Sequence, residues 1–178
     1  MHKRFGWWGC AAVAAIFIAI LPAPGRQAQD AANVQRQFVG TWKLVSTEEK
    51  LKDGSVRPYK EVGPKGAGYL IYSAGGTMCA ELMNSERPKW DDPPTAEQQV
   101  AAIEGFVAYC GHYEIDPAKQ VMWHYPDVAW KPNYVGTKQA RPYRFAGGHL
   151  IFSDKAAPDD KDDVVQWTIT WEKVNYGR

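Results

Sequence analysis

"FVAYCGHYEIDPAKQVMWHYPDV", residues 106–128, reads as two runs of alternating side chains around a turn. Asp116-Pro117 sets an acid first and a proline second, which is type I turn chemistry. On both sides the period is two, the period of a strand and not of a helix. Taking Asp116–Lys119 as the four-residue loop pairs Ile115 with Gln120, Tyr113 with Met122 and Gly111 with His124. One face then carries Tyr109, Gly111, Tyr113, Ile115, Met122 and His124, and the other carries Cys110, His112, Glu114, Val121, Trp123 and Tyr125. The first face has no carboxylate, and a glycine opposite a histidine leaves room beside the imidazole, so it is read as the inner one. A loop one residue longer or shorter would reverse the assignment.

The same period extends outward. "GTWKLVS" (40–46) sets Trp42, Leu44 and Ser46 against Thr41, Lys43 and Val45, and "GYLIYSAGGTMCAELM" (68–83) folds back on Ala74-Gly75-Gly76. "PNYVGTKQARPYRF" (132–145) begins as a loop and ends as a strand on which Arg141 shares a face with Tyr143 and Phe145. A further strand follows Gly147-Gly148, and "VVQWTITWEKV" (164–174) turns Trp167, Ile169 and Trp171 to one side. One stretch departs from this pattern. After Asp91 to Pro94, Thr95 is followed three residues later by Gln98, a capping box that predicts a single short helix over Thr95–Glu104. Roughly eight short strands separated by turns predict an all-β fold, a closed antiparallel barrel, with a β-sandwich as the alternative. "PDDKDD" (158–163) lacks the spaced ligands of a calcium loop and reads as a solvated turn.

At 178 residues the chain has room for one domain. Its 21 Lys and Arg against 20 Asp and Glu leave a net charge of +1 without a basic stripe, which argues against a nucleic-acid partner. Residues 1–30 have the layout of a secretory leader: His2, Lys3 and Arg4, an apolar run from Phe5 to Leu21, then small residues. That run falls short of the roughly 20 residues a bilayer span needs, so cleavage between Arg26 and Asn33 and a periplasmic or secreted product, with no membrane segment left, are expected. Cys10 leaves with the leader. Cys79 and Cys110 remain, a candidate bridge in an oxidising compartment, with two separate buried thiols as the alternative. Two thiols alone do not close a metal site.

In fixed order, "FVGTWKLVS", "GYLIYSAGGTMCAELM", "AYCGHYEID", "PNYVGTKQARPYRFAGGHLIFS" and "WTITWEKV" resemble the bacterial and fungal lipocalin-like domain family over about residues 38–174. Gly40-Thr41-Trp42 is also similar to the first signature of true lipocalins, whose second signature, Thr-Asp-Tyr, is missing. The resemblance implies a lipocalin-like β-barrel. It also implies two kinds of activity, since some related barrels bind small apolar molecules and others act as cofactor-free cyclases or isomerases. In such a barrel the two cysteines lie on the outer parity of neighbouring strands, which makes a Cys79–Cys110 bridge possible.

Carried around the barrel, the inner parity collects Leu70, Tyr72, Met78, Ala80, Leu82, Tyr109, Tyr113, His124, Arg141, Tyr143, Phe145, Trp167, Ile169 and Trp171. Of these, Tyr72, Tyr109, Tyr113, His124, Arg141, Tyr143, Trp167 and Trp171 are the candidate ligand-binding residues, suited to a small hydrophobic or amphipathic molecule. The same residues would equally suit a filled barrel core. Arg141 has two readings. By the resemblance it closes the barrel base over Trp42; by its chemistry it offers a fork to a carboxylate or enolate. His124 is either a satisfied core histidine or a proton carrier. No hydrolase, phosphate-loop or zinc motif is present, and no metal or cofactor is expected. The leading expectation is an exported binding barrel. A cyclase or isomerase using His124 and Arg141 is one alternative, and a solid-core interaction module is the other.

Overall fold

The computed structural model describes residues 24–158, 160–175 and 177, so most of the expected leader, Cys10 included, lies outside the described residues. The chain order is helix α1 (Pro24–Phe38), strands β1 (Gly40–Leu51), β2 (Val56–Arg57), β3 (Gly66–Tyr72) and β4 (Thr77–Asn84), helix α2 (Ala96–Glu104), then β5 (Phe106–Asp116), β6 (Val121–Ala129), β7 (Gln139–Ala146), β8 (His149–Lys155) and β9 (Val164–Lys173). From β3 onward each strand pairs antiparallel with the next, β1 pairs with β3, and β9 returns to β1. Eight long strands thus close into a barrel, and the two-residue β2 is a flap on the end of β1. A closed sheet leaves no long edge exposed, and the β1–β9 pairing decides for the barrel over the sandwich.

Helix α2 is capped as its sequence predicts: Gln98 N donates to Thr95 Oγ1 at 3.2 Å, and Thr95 N donates to Gln98 Oε1 at 2.9 Å. Helix α1 was not expected. Its sequence, PGRQAQDAANVQRQF, carries few apolar residues, yet Val34 and Phe38 pack on the barrel core. Phe38 is buried against Tyr72, Tyr143 and Phe145, with ring centroids 5.7, 4.8 and 4.9 Å away, and its carbonyl accepts from Trp42 Nε1 at 2.7 Å. The helix therefore plugs one end of the barrel. Trp42 is buried at that end, as the Gly40-Thr41-Trp42 resemblance implied.

The central hairpin corrects the expected register. Asp116 faces Val121, Ile115 faces Met122 and Tyr113 faces His124, so the loop is Pro117–Gln120, with Gln120 in the left-handed region at φ 53°. The correction moves the pairing by two positions, and an even shift preserves which side chains share a face. Gly111 does not sit opposite His124. It faces Pro126 beside a bulge at Asp127, where an added Cβ would lie 1.9 Å from the Tyr125 carbonyl oxygen. The glycine serves close backbone approach, not space for an imidazole.

A second bulge alters β1. Leu44 faces Trp171 and Ser46 faces Thr170, leaving Val45 as the extra residue. Inward positions are Trp42 and Leu44 before it, and Thr47 and Glu49 after it. Ser46, expected beside Trp42 and Leu44, is rotated off their face. On the outer face Cys79 lies directly opposite Cys110 and is bonded to it, with Cα atoms 4.1 Å apart, which removes the free-thiol alternative. No helix among the described residues is long and apolar enough to cross a membrane.

Candidate functional site

The α1 end of the barrel is filled by Phe38, Trp42, Met78, Tyr113, Tyr143 and Leu150. The other half is open. A cavity of about 410 Å³ runs inward between the segment Tyr59–Val62 and the loop Trp130–Tyr134, and apolar side chains such as Leu70, Leu82, Val107, Phe152 and Ile169 form its walls. The inner-parity positions of β3 to β9 supply these residues, because alternate side chains of a barrel strand point to the lumen.

Polar groups converge at the depth of this cavity. His124, on β6, is only 1% exposed, and both of its ring nitrogens meet phenols: Nε2 lies 2.6 Å from Tyr72 Oη and Nδ1 2.9 Å from Tyr109 Oη. Burial, and secondarily the charge of Arg141, holds the imidazole well below its usual pKa, so it is neutral near pH 7. Burial pushes the Tyr72 phenol well above its usual range. A neutral imidazole donates through one nitrogen and accepts through the other. Tyr72, also 1% exposed, has His124 as the hydrogen-bond partner of its Oη. The arrangement that gives the enclosed Tyr72 O–H an acceptor has Tyr72 donating to Nε2 and Nδ1–H donating to Tyr109 Oη, which leaves the free O–H on Tyr109, the phenol that borders the cavity.

Arg141, on β7, extends the chain of contacts. Its Nη1 donates to the Ala140 carbonyl at 2.8 Å, its Nη2 reaches Tyr109 Oη at 3.5 Å, and its guanidinium carbon lies 5.8 Å from the Trp167 ring centre. The expected stacking on Trp42 is not found. Trp42 lies at the plugged end under the Lys173 ammonium, 5.2 Å from its ring centre, whereas Arg141 is registered with Met122 nearer the open half. The phenols of Tyr59 and Tyr134 line the same mouth, both pushed up by burial. Glu49 also lines the cavity and accepts from Arg57 Nε at 2.8 Å.

Five of the eight candidate residues therefore border the cavity: Tyr109, His124, Arg141, Trp167 and Trp171. Tyr72 stands behind His124. Tyr113 and Tyr143 belong to the plugged half: Tyr113 donates to the Ser73 carbonyl at 2.7 Å and accepts from Gln35 Nε2 at 3.3 Å, while Tyr143 packs on Phe38. Phe145, read as lumenal, is 37% exposed at the rim of that end. Sequence reasoning missed Glu49, Tyr59, Trp130 and Tyr134. Glu49 reaches the lumen only through the Val45 bulge, and the others come from loops, where strand parity gives no signal.

A sequence model of the lipocalin-like domain matches residues 39–174. The chain belongs to the lipocalin-like domain family. No curated protein matches it. The lipocalin-like match begins one residue before β1 and ends one residue after β9, so it spans the whole barrel and stops short of the plugging helix α1. The lipocalin-like barrel thus has one end sealed by a segment outside the family match and one end leading to the His124 cluster.

Proposed function

We propose that the protein binds a small apolar or amphipathic molecule in the open half of its barrel. The observation that carries this reading is the cavity of about 410 Å³, with aliphatic and aromatic walls and a few convergent polar groups at its depth, the composition of a small-molecule site. Export fits the same reading. Among the described residues, the barrel contacts of α1 come from Val34, Gln35, Gln37 and Phe38, all beyond the proposed cleavage window Arg26–Asn33, and a Cys79–Cys110 bridge suits a periplasmic or extracellular compartment. Native mass spectrometry of the protein purified from its own compartment tests the proposal. We expect a stoichiometric small-molecule adduct that is released on unfolding. An adduct that persists when the cavity is filled by Ala80→Phe would place binding elsewhere.

The chain Tyr72–His124–Tyr109–Arg141 favours a second reading, a cofactor-free cyclase or isomerase. Both imidazole nitrogens are taken by phenols, so His124 would act on a lumen molecule through the Tyr109 hydroxyl, with Arg141 facing developing negative charge. The open half of the lumen weighs against the third alternative, a solid-core module.

A further inference from the structure

We propose that the lumen ligand is a monoanion, a carboxylate or similar oxyanion carried on an apolar tail, held by Arg141 and the Tyr109 hydroxyl. The proposal rests on the lumen-binding reading above and adds the charge and headgroup class of the ligand.

Three observations lead to it. Among the described residues Arg141 has no carboxylate within ion-pair distance. Glu49, the acid in the cavity wall, is held by Arg57, and Glu61 and Lys131 lie at the mouth with opposite charges. Arg141 is half-buried among Tyr109, Trp167 and the Ala140 carbonyl. A guanidinium has five N–H donors, and those contacts use two of them, one at the long distance of 3.5 Å. Charge withdrawn from water without a counter-charge is costly, and an incoming anion supplies what the protein does not.

The second observation is the sign of the unsatisfied groups. Two buried side-chain atoms among those described lack a hydrogen-bond partner, Arg57 Nη2 and Trp171 Nε1. Both are donors, and Trp171 lines this cavity. The unsatisfied buried atom in the cavity lining is thus a donor, Trp171 Nε1, which favours a ligand that carries acceptors.

The third is the direction of the network. With His124 donating from Nδ1, Tyr109 Oη accepts from His124 and from Arg141, and its own O–H remains unspent beside the cavity. A planar cation and a polarised hydroxyl then converge on one point, and a carboxylate offers an oxygen to each. With Glu61 offsetting Lys131 and Glu49 held by Arg57, Arg141 leaves one net positive charge in the cavity, which matches one negative charge on the ligand. The apolar walls of Leu70, Leu82, Phe152 and Ile169 take the tail.

Three probes of one tail length separate the possibilities: decanoate, 1-decanol and decylamine, titrated into the full mature protein at pH 7 by isothermal calorimetry. We expect decanoate to bind about tenfold or more tighter than decanol, the worth of charge-assisted hydrogen bonds over neutral ones, and decylamine to bind weakest. In Tyr109→Phe and in Arg141→Met the ratio of decanoate to decanol affinity should fall toward one. Equal binding of decanoate and decanol by the wild-type protein overturns the monoanion proposal and leaves lumen binding standing. Failure of all three probes overturns both. The wild-type comparison needs no variant to fold.

Discussion

Removing the Tyr72 hydroxyl should cost more than one oxygen atom suggests, and the cost should largely vanish once His124 is also gone. Tyr72 Oη and His124 Nε2 lie 2.6 Å apart, and each residue is 1% exposed, so neither group has water to fall back on. Tyr72→Phe leaves the buried acceptor Nε2 unpaired, and His124→Leu leaves the Tyr72 hydroxyl unpaired. An orphaned buried polar group costs about 1–3 kcal/mol, so each single variant should lose about that much, or about 2–12 °C in melting temperature for a domain of this size. In Tyr72→Phe/His124→Leu neither member of the pair remains to be orphaned. The double variant should therefore lie about 1–2 kcal/mol above the sum of the singles. Urea unfolding of the four proteins with the disulfide intact measures this, provided their m-values agree. A coupling under about 0.5 kcal/mol would mean that no such hydrogen bond exists, and the direction assigned to the network would fail with it.

Other perturbations follow from the same structure. Replacing both Cys79 and Cys110 by Ala opens a loop with a sequence separation of 31, for which chain entropy gives a loss of about 3.7 kcal/mol; chemical denaturation beside the wild-type protein checks it. His124 is neutral when folded and has its pKa depressed by burial, so below about pH 6.5 the unfolded chain binds the extra proton. Stability from this group is whole above that pH and falls as the pH drops toward the folded pKa, by up to about 1.4 kcal/mol per pH unit. His124→Leu should flatten that slope between pH 6.5 and 5, and an unchanged slope would show that another group carries it. Arg141→Met removes a half-buried cation without a counter-charge, so ligand-free stability should hold or rise within about 1 kcal/mol. A loss above about 2 kcal/mol by thermal melting would show that Arg141 is structural.

How much of this could be read from the sequence depends on what each residue reports. The Asp116-Pro117 turn fixed the position of the central hairpin, but nothing local showed that Gln120 would take a positive φ and complete the loop. The resulting error was even, so Tyr109, Tyr113, Met122 and His124 kept their inner face. Glu49 had no such protection. The bulge at Val45 reverses parity midway along β1, and because Val45 is apolar yet 49% exposed, the pattern of "GTWKLVS" gives no warning. Helix α1 was hidden because its described contacts with the barrel, those of Val34, Gln35, Gln37 and Phe38, come from a polar stretch adjoining a leader-like segment. The Arg141–Trp42 stack failed for a positional reason: Lys173 on β9, registered opposite Trp42, already covers that indole. The cavity mouth is built by loops carrying Tyr59, Trp130 and Tyr134, and strand parity does not extend to loops.

Binding in the open half of the lumen is tested most directly by titrating the neutral fluorescent amine N-phenyl-1-naphthylamine into the wild-type protein and into Ala80→Phe. Ala80 is buried in the cavity wall on β4, so a benzyl group there projects into the space a ligand would occupy. We predict one-to-one binding by the wild-type protein, with energy transfer from Trp167 and Trp171, and its loss in Ala80→Phe while the melting temperature confirms a folded barrel. Equal dye affinity in the two folded proteins would contradict a binding site in the lumen.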